Sequence, residues 1–411
     1  MIDSELGRIS AQIINPISFP LQPKERIHSI GFLTIETKMC SQLSYRNAAE
    51  MINLVYHKTG SDAIKLRTLS DTTIRIGNEI TSEISSKTEE ILKMYGFNSE
   101  TGVVNDGVVL SETICKTNPS KEDKEIVLSD IEKAINLIND NRDEKVNYKS
   151  EDIQLESKNN CIYISVDDIG VKRQKDIRST EDGYEKDTRY VENTVAHIQN
   201  GTKTYLLTAV GMRNLFKVLI AFLLVNDLLG KEIVFFTDGA RNIKSYINEM
   251  FSFHDYSIIL DWYHLKKRCQ EYLSMAIKGK EKRNLCLEKI LRYLWVGDVN
   301  SAVSYLTNLS EDIIKNQKWV NDLISYLDRK REGIICYAVR DKLKFRNSSN
   351  PVEKANDIIV AKRQKHNGMA WTPNGSSSLA AIEMIYQNNQ DFDWFYRHTI
   401  PMFNPVSIAC A

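Results

Sequence analysis

The chain of 411 residues is long enough for two or three domains and a full hydrophobic core. Its 54 lysines and arginines balance its 54 aspartates and glutamates, so any nucleic-acid surface must rest on local basic patches. Seven scattered cysteines without a CxxC pair indicate free thiols, and they argue against a structural zinc site. The sequence starts without a signal-peptide pattern, and its longest apolar run is too short for a membrane span, which predicts a cytoplasmic protein.

The first hundred residues are predicted to be mainly helical. Ile30–Thr37 has the composition of a strand, and Ser44 can cap the helix that follows it. A short helix over Asp62–Arg67 then leads to a third helix, for which Ser70 is a suitable cap. Three helices joined by turns are compatible with a helix-turn-helix DNA-binding unit, with Arg75 at the front of its recognition helix. A small helical bundle without a DNA role explains the same spacing, and the spacing alone favours it.

Residues 101–160 are predicted to connect this N-terminal domain (residues 1–100) to the rest of the chain. The segment is rich in Asp, Glu, Lys, Asn and Ser, and one amphipathic helix is expected over Ile126–Ile138.

The pattern changes at Cys161, where alternating apolar residues run into Asp167. The predicted strands are Ile162–Asp167, Arg189–Gln199, Thr202–Val210, Lys231–Thr237 and Tyr256–Leu260, with helices at Met212–Leu229 and from Ala240 to about Phe251. The predicted order is three antiparallel strands followed by helix, strand, helix and strand. This is the order of the RNase H-like fold, an α/β fold with a mixed five-stranded sheet. In that fold the first and fourth strands are neighbours, so Asp167 and Asp238 are expected side by side. Their carboxylates would repel unless a cation binds between them.

A long helical block follows, and the sheet domain resumes after it. Residues 262–343 contain four stretches with a helical apolar period, which predicts an all-helical insertion. The sheet domain therefore comprises residues 161–261 and 344–385, and residues 386–411 form a C-terminal tail.

Glu353 has two competing interpretations. Pro351 suits the first helical position with Asn350 as the cap, so Glu353 can complete a capping box. Alternatively, its carboxylate faces the sheet as a third metal ligand. The local sequence favours the cap.

Several short motifs, taken in order, resemble bacterial insertion-sequence transposases of the RNase H-like DDE type with a helical insertion before the Glu. The motifs are VDD at 166–168, TDGA at 237–240, DWYH at 261–264, VEK at 352–354 and the segment Gly368-Met369-Ala370-Trp371. The second acid and the Glu are 115 positions apart (353 − 238), and the helical block lies between them. The resemblance covers roughly residues 160–385, and the N-terminal helices only weakly.

The resemblance implies catalytic and metal-binding roles for Asp167, Asp238 and Glu353, which would hold two Mg²⁺ ions for which Mn²⁺ can substitute. It implies cleavage of double-stranded DNA at transposon ends and joining of the freed 3′-hydroxyl to target DNA, by a homodimer or a larger synaptic assembly without a membrane partner. The chain departs from the family at Asp168, where these enzymes commonly have Gly. Asp168 is therefore an alternative first ligand, although Asp167 ends the alternating strand. His264 resembles a histidine common in such segments, and local hydrogen bonding at a helix start explains it equally well.

Basic clusters lie close in sequence to these acids and are predicted to contact DNA phosphates. They are Lys172, Arg173 and Lys175; Lys266, Lys267 and Arg268; and Lys362, Arg363 and Lys365. Two other functions remain open from the sequence: a metal-dependent nuclease of the same fold that does not join strands, and a domesticated DNA-binding regulator that uses only the N-terminal helices.

Overall fold

The structure, a computed structural model, describes residues 2–4, 7–9, 27–60, 63–117, 128–140, 142, 149–174, 189–365 and 369–404. In these residues the helices are α1 (Ile30–Gln42), α2 (Tyr45–Val55), α3 (Leu66–Met94), α4 (Glu112–Cys115), α5 (Leu128–Asn139), α6 (Met212–Val225), α7 (Arg241–Met250), α8 (Trp262–Ala276), α9 (Lys280–Trp295), α10 (Val299–Thr307), α11 (Gln317–Lys330), α12 (Tyr337–Lys342), α13 (Asn350–Asn356), α14 (Lys362–Gln364), α15 (Pro373–Gln387) and α16 (Asp391–Arg397). Three short strands, Ile2–Ser4, Gly7–Ile9 and Ile27–His28, form a small separate sheet.

The central sheet has five strands, which are β1 (Cys161–Lys172), β2 (Tyr190–Asn200), β3 (Lys203–Val210), β4 (Glu232–Thr237) and β5 (Tyr256–Leu260). Their spatial order is β3-β2-β1-β4-β5. The first three strands are antiparallel neighbours, whereas β4 runs parallel to β1 and β5 runs parallel to β4. This order and these directions are the RNase H-like topology, so the predicted α/β fold class is confirmed.

Strand β1 is longer than predicted, because its two neighbours pair with different parts of it. β4 pairs with β1 only from Cys161 to Ser165, but β2 continues to pair with it as far as Lys172. Asp167 therefore does not end the strand. It lies where β1 parts from β4 and continues as one half of a two-stranded ribbon.

The two faces of the sheet are covered by different helices. Ile162, Ile164 and Phe235 face a core shared with α3, α6, α7, α15 and α16. The alternate β4 residues, Val234 and Phe236, belong to a second core built from α8 to α11. The predicted insertion is therefore helical, and it covers one face of the sheet instead of forming a detached lobe.

The N-terminal region differs from the prediction in two respects. Ile30–Thr37 is not a strand but the first part of α1, which Ser29 caps by accepting a hydrogen bond from the Phe32 N–H at 3.2 Å. The short helix predicted over Asp62–Arg67 is also wrong within the described residues, because Ala63–Lys65 are non-helical. Both errors come from judging short apolar runs without their tertiary partners.

Helix α3 is a single helix of 29 residues that begins at Leu66, so Ser70, the expected cap, lies inside it. Its buried residues Ile76, Ile80 and Ile84 belong to the core of the sheet. At Gly77 a Cβ atom would come within 2.4 Å of the Cβ of Ser378, so α3 and α15 cross at very short distance. The N-terminal helices are thus joined to the sheet domain through α3, and their assignment as a DNA-binding domain stays a prediction.

The connecting region is anchored by a buried ion pair. Arg340 of α12 donates from Nη2 to Oε1 of Glu156 at 2.6 Å, and both side chains are almost fully buried. The helix expected in the connecting region over Ile126–Ile138 is α5. It packs against α12.

Two further predictions can be compared with the described residues. Six of the cysteines fall there, and none forms a disulfide. In the same part of the chain, no helix combines the length and apolar character that crossing a membrane would require.

Candidate active site at the carboxyl ends of the parallel strands

Three aspartates stand in one row where the parallel strands end. Ser165 pairs with Phe236, so two residues further on Asp167 and Asp238 occupy equivalent positions on β1 and β4. Thr237 pairs with Leu260, so Asp238 and Asp261 are equivalent on β4 and β5. Because the carboxyl ends of parallel strands meet at one edge, this topology brings the three residues together.

Asp167 carries a charge that its surroundings disfavour. Burial and, next, the negative charge of Asp238 raise its pKa to about 6. Its Oδ2 accepts a hydrogen bond from Nδ2 of Asn356 at 2.7 Å, and its Oδ1 accepts one from the N–H of Asp168 at 2.9 Å. The raised pKa shows that these two hydrogen bonds do not compensate for burial and repulsion.

A tight turn fixes Asp238. Its Oδ1 accepts a hydrogen bond from the Ala240 N–H at 2.7 Å, a local turn that short acidic side chains favour. The intervening Gly239 has φ of +87°, a conformation that glycine adopts without steric cost. The TDGA motif therefore specifies the turn that holds the Asp238 carboxylate at the end of β4.

Asp261 is fully buried and joins the two ends of the helical insertion. It caps α8 by accepting from the His264 N–H at 2.8 Å, and it lies 3.2 Å from Nδ1 of His264. Its Oδ2 accepts from the N–H of Ser349 and from the Ser349 hydroxyl at 3.0 Å. Although burial opposes ionisation, these hydrogen bonds lower the pKa of Asp261 to about 2. One carboxylate thus ties the start of α8 to the residue that precedes α13.

Glu353 does not form the capping box that its local sequence favours. The N–H of Asn350, the predicted cap, is donated to the Ser348 hydroxyl at 3.0 Å, and α13 is capped by Ser349 without a side-chain hydrogen bond. Glu353 instead approaches the sheet edge, where its Oε1 lies 3.3 Å from Nε2 of His264. After α13 the helix continues as a π-helical segment, Asp357–Ala361, before α14. π-Helical turns are rare and are frequent at functional sites.

His264 connects the acids electrostatically. Its pKa is raised first by the hydrogen bond to Asp261, and the charges of Glu353 and Asp238 add to the effect. The positive charge of His264 in turn acts on Asp167. All three predicted acids therefore interact electrostatically with His264, and Glu353 is the one in direct contact with it.

The chemistry of the donors fits a hard divalent cation. Aspartate and glutamate oxygens are the ligands that Mg²⁺ takes in proteins, and the repulsion at Asp167 is the kind that such an ion relieves. In the described part of the chain, however, no three acidic, histidine or cysteine side chains are already placed to hold one ion. Glu353 contacts His264, and Asp167 accepts a hydrogen bond from Asn356. These carboxylates are therefore not arranged as ligands of one ion.

The Asp168 side chain interacts with β2, the strand on the other side of β1 from β4. It accepts a hydrogen bond from the Thr194 hydroxyl of β2 at 2.5 Å. The residue as a whole is exposed, but partial desolvation of its carboxylate is the main factor that raises its pKa. Asn356 instead donates to Asp167. This geometry favours Asp167 over Asp168 as the residue that faces the other acids.

The structure divides the predicted DNA-binding residues into exposed and buried ones. Those on the surface or half-buried are Arg75, Lys172, Arg173, Lys266, Lys267, Arg268, Lys362 and Lys365. Arg363 is buried, with its guanidinium over the rings of Tyr45 and Trp371 and its Nε donating to the Cys40 carbonyl at 2.9 Å. Arg363 is thus a packing residue, which corrects its prediction as a DNA contact. Arg75 lies within α3 and forms an ion pair with Glu79 at 2.7 Å. Lys175 and Gly368 lie outside the described residues.

Sequence reasoning missed two residues of the site. Asp261 follows a predicted strand directly, as Asp238 does, and that shared position was the available signal. Asn356 lies three residues after Glu353 and therefore on the same side of α13. Nothing in the sequence pairs Asn356 with Asp167, because this hydrogen bond joins residues 189 positions apart.

Comparisons with known proteins add little. No protein family model matches the chain, and no curated protein matches it. Among solved structures, a match is found to the Drosophila P element transposase strand transfer complex, at 9% sequence identity and a TM-score of 0.28. The match covers 92% of this chain and 83% of that chain. The functional interpretation therefore rests on the geometry of the site itself.

Proposed function

We propose that the chain is a transposase of the DDE type, which cuts DNA at the ends of a mobile element and joins the freed 3′-hydroxyl to target DNA. The observation that carries the proposal is the equivalent placement of Asp167 and Asp238 on adjacent parallel strands, with the pKa of Asp167 raised to about 6. Two carboxylates held together at this energetic cost are characteristic of a cation site used for chemistry.

In this proposal Asp167, Asp238 and Glu353 hold two Mg²⁺ ions. When bound, such ions activate the attacking oxygen and neutralise charge on the phosphoryl group and on the leaving oxygen. Asp167 lies on β1 and Asp238 directly follows β4, so the sheet positions these two acids. Glu353 reaches it from α13, whose start is tied to Asp261 through Ser349.

The reaction has two balanced steps. Water attacks the phosphodiester at the element end, and the P–O bond to the 3′ oxygen breaks, which releases a 3′-hydroxyl and a 5′-phosphate. That hydroxyl then attacks a target phosphodiester, loses its proton and displaces a new 3′-hydroxyl. His264 lies 3.3 Å from Glu353, where its imidazole can hold a proton or orient the carboxylate.

The decisive experiment uses a supercoiled plasmid that carries the native reading frame with its flanking DNA, a second plasmid as target, and Mg²⁺. We expect cleavage at the element ends and joined products. Asp238→Asn and Glu353→Gln should lower both by about 100-fold or more. Asp106→Asn, at an exposed aspartate far along the chain from the site, is the matched control and should behave as the parent.

Three outcomes would contradict the proposal. Nicks without joined products would indicate a nuclease of the same fold. Full cleavage by Asp238→Asn would show that this carboxylate is not needed for the reaction. DNA binding by the parent chain without any cleavage would indicate a regulator.

A further inference from the structure

We infer that a groove between α8 and α9 binds a single strand of DNA, with one unstacked base lying against Tyr263. The groove has a volume of about 430 Å³ and is lined by Tyr263, Lys266, Lys267, Gln270, Glu271, Ser274 and Arg283. The inference deepens the proposed function and rests on it for the identity of the strand, which is the DNA that enters the carboxylate site.

The groove starts at the candidate active site. Tyr263 is adjacent in sequence to His264, and their rings meet edge to face with centroids 5.6 Å apart. His264 in turn lies 3.3 Å from Glu353. A strand whose phosphate reaches the acids would therefore pass close to Tyr263.

One face of α8 forms the floor of the groove. Tyr263, Lys267, Gln270 and Ser274 follow each other at intervals of three or four residues, which places them in one row on the helix. Arg283 of α9 supplies the opposite wall. The row offers an aromatic ring at one end and hydrogen-bonding and cationic groups along its length.

The charge of the groove suits a polyanion. Glu271 is its acidic lining residue, and Arg268 pairs with Glu271 at 2.9 Å. Within the described residues, the side chains of Lys266, Lys267 and Arg283 form no ion pair. These three cations are therefore available for phosphates, while the acid among them is already neutralised.

The exposed ring of Tyr263 favours a single strand over a duplex. Tyr263 is 51% exposed, so its ring is accessible to a ligand in the groove. In a duplex the base faces are covered by their neighbours, whereas a single strand offers a free face that stacks on an aromatic ring. The base next to the cleaved bond is the one this geometry selects.

The test measures binding without catalysis. Fluorescence anisotropy of the full chain is recorded in EDTA with a labelled oligothymidylate and, separately, with a duplex of the same length. We expect Tyr263→Ala to weaken single-strand binding by about 5-fold or more and Tyr263→Phe to retain it, with duplex binding changed less than about 2-fold. Tyr396→Ala is the matched control, because Tyr396 is 48% exposed and lies outside the groove.

A second measurement follows the phosphate contacts. Lys267→Ala should reduce the slope of log K against log salt for the single strand by about 0.7, whereas the exposed Lys203→Ala should leave it unchanged. In the parent chain, photocrosslinking of an oligonucleotide containing bromodeoxyuridine should label a peptide that includes Tyr263.

The inference is overturned if Tyr263→Ala binds as Tyr396→Ala does, or if single-strand and duplex binding fall by the same factor. Either result can occur while Asp238→Asn still abolishes cleavage, so the groove can fail without the proposed function. Conversely, strand binding at Tyr263 by a chain that never cleaves DNA would refute the proposed function and leave the groove standing.

Discussion

Asp167 and Asp238 each lie two residues beyond the last parallel pair of β1 and β4, Ser165 with Phe236, and are separated by the same 71 positions (238 − 167) as that pair. The pairing of the two strands therefore brings the acids close enough for the charge of Asp238 to act on Asp167. The cost is visible at Asp167, whose pKa rises to about 6 because of burial and the charge of Asp238. A pair held this rigidly makes clear predictions for stability as well as for activity.

Replacing Asp167 should stabilise the free protein. Its folded pKa of about 6 exceeds the usual unfolded value of about 3.9, so the folded state binds more protons between these values and stability falls as pH rises from about 4 to 6. We expect Asp167→Asn to raise the free energy of unfolding by about 1–2 kcal/mol at pH 7, and by nearly nothing at pH 4. Urea denaturation without divalent cations measures it. A loss of stability at pH 7 would contradict the prediction.

Bound Mg²⁺ should offset the stability advantage of Asp167→Asn over the parent chain. An ion that binds the folded state at about 100 times its dissociation constant stabilises it by about 2.7 kcal/mol. We therefore expect Mg²⁺ to raise the unfolding temperature of the parent chain and of Asp106→Asn, but not of Asp167→Asn or Asp238→Asn. Thermal unfolding with Mg²⁺ and with EDTA provides the comparison. An equal Mg²⁺ effect on all four proteins would place the ion elsewhere.

Asp261 should be a major structural carboxylate. Its pKa is about 2 when folded, because the hydrogen bonds from His264 and Ser349 outweigh its burial, so its contribution is present above about pH 4 and lost as pH falls towards 2. Asp261→Asn keeps the size of the side chain but removes the charge and one acceptor. We expect a loss of about 2–3 kcal/mol at pH 7 by urea denaturation. Asp106→Asn should cost almost nothing, and equal effects of the two variants would refute the assigned role.

The close crossing of α3 and α15 predicts sensitivity at Gly77. A Cβ there would lie 2.4 Å from the Cβ and 2.5 Å from the Cα of Ser378, so the helices must move apart. We expect Gly77→Ala to cost about 2–3 kcal/mol despite the higher helix propensity of alanine. Ser82→Ala, at an exposed position of α3, is the control. A neutral Gly77→Ala in thermal unfolding would show that α3 is not fixed against the sheet domain.

The ion pair of Arg340 and Glu156 should be costly to break. Both side chains are almost fully buried, so Glu156→Gln leaves a guanidinium without its counter-charge. We expect a loss of about 3 kcal/mol or more in urea denaturation. Glu151→Gln, at an exposed position of the same segment, should change stability by less than about 0.5 kcal/mol.

The sheet was largely predictable because its strands alternate and its turns are marked. The run Tyr256–Leu260 was predicted with the observed bounds, and the placement of Asp167 beside Asp238 followed from the strand order alone. The end of β1 was not predictable. Apolar alternation stops at Asp167, but the strand continues to Lys172 because β2 supplies its hydrogen bonds.

Elements whose conformation depends on distant partners were the ones misjudged. Ile30–Thr37 has strand-like composition, yet it forms α1, whose Phe32 and Thr37 are buried against other helices. Arg363 follows Lys362 in a basic run and looked exposed, but Tyr45 and Trp371 enclose it. Glu353 fitted a capping box locally, and only the hydrogen bond from Asn350 to Ser348 shows that the cap is not formed.

The π-helical segment Asp357–Ala361 sets the angular relation between Glu353 and Arg363. A π turn holds one residue more than an α turn, so deleting a residue there would rotate everything beyond it by about 100°. Either the acid would leave the sheet edge, or the guanidinium would leave its two aromatic rings. Natural variants of this chain should therefore tolerate changed side chains in the segment far better than a changed number of residues.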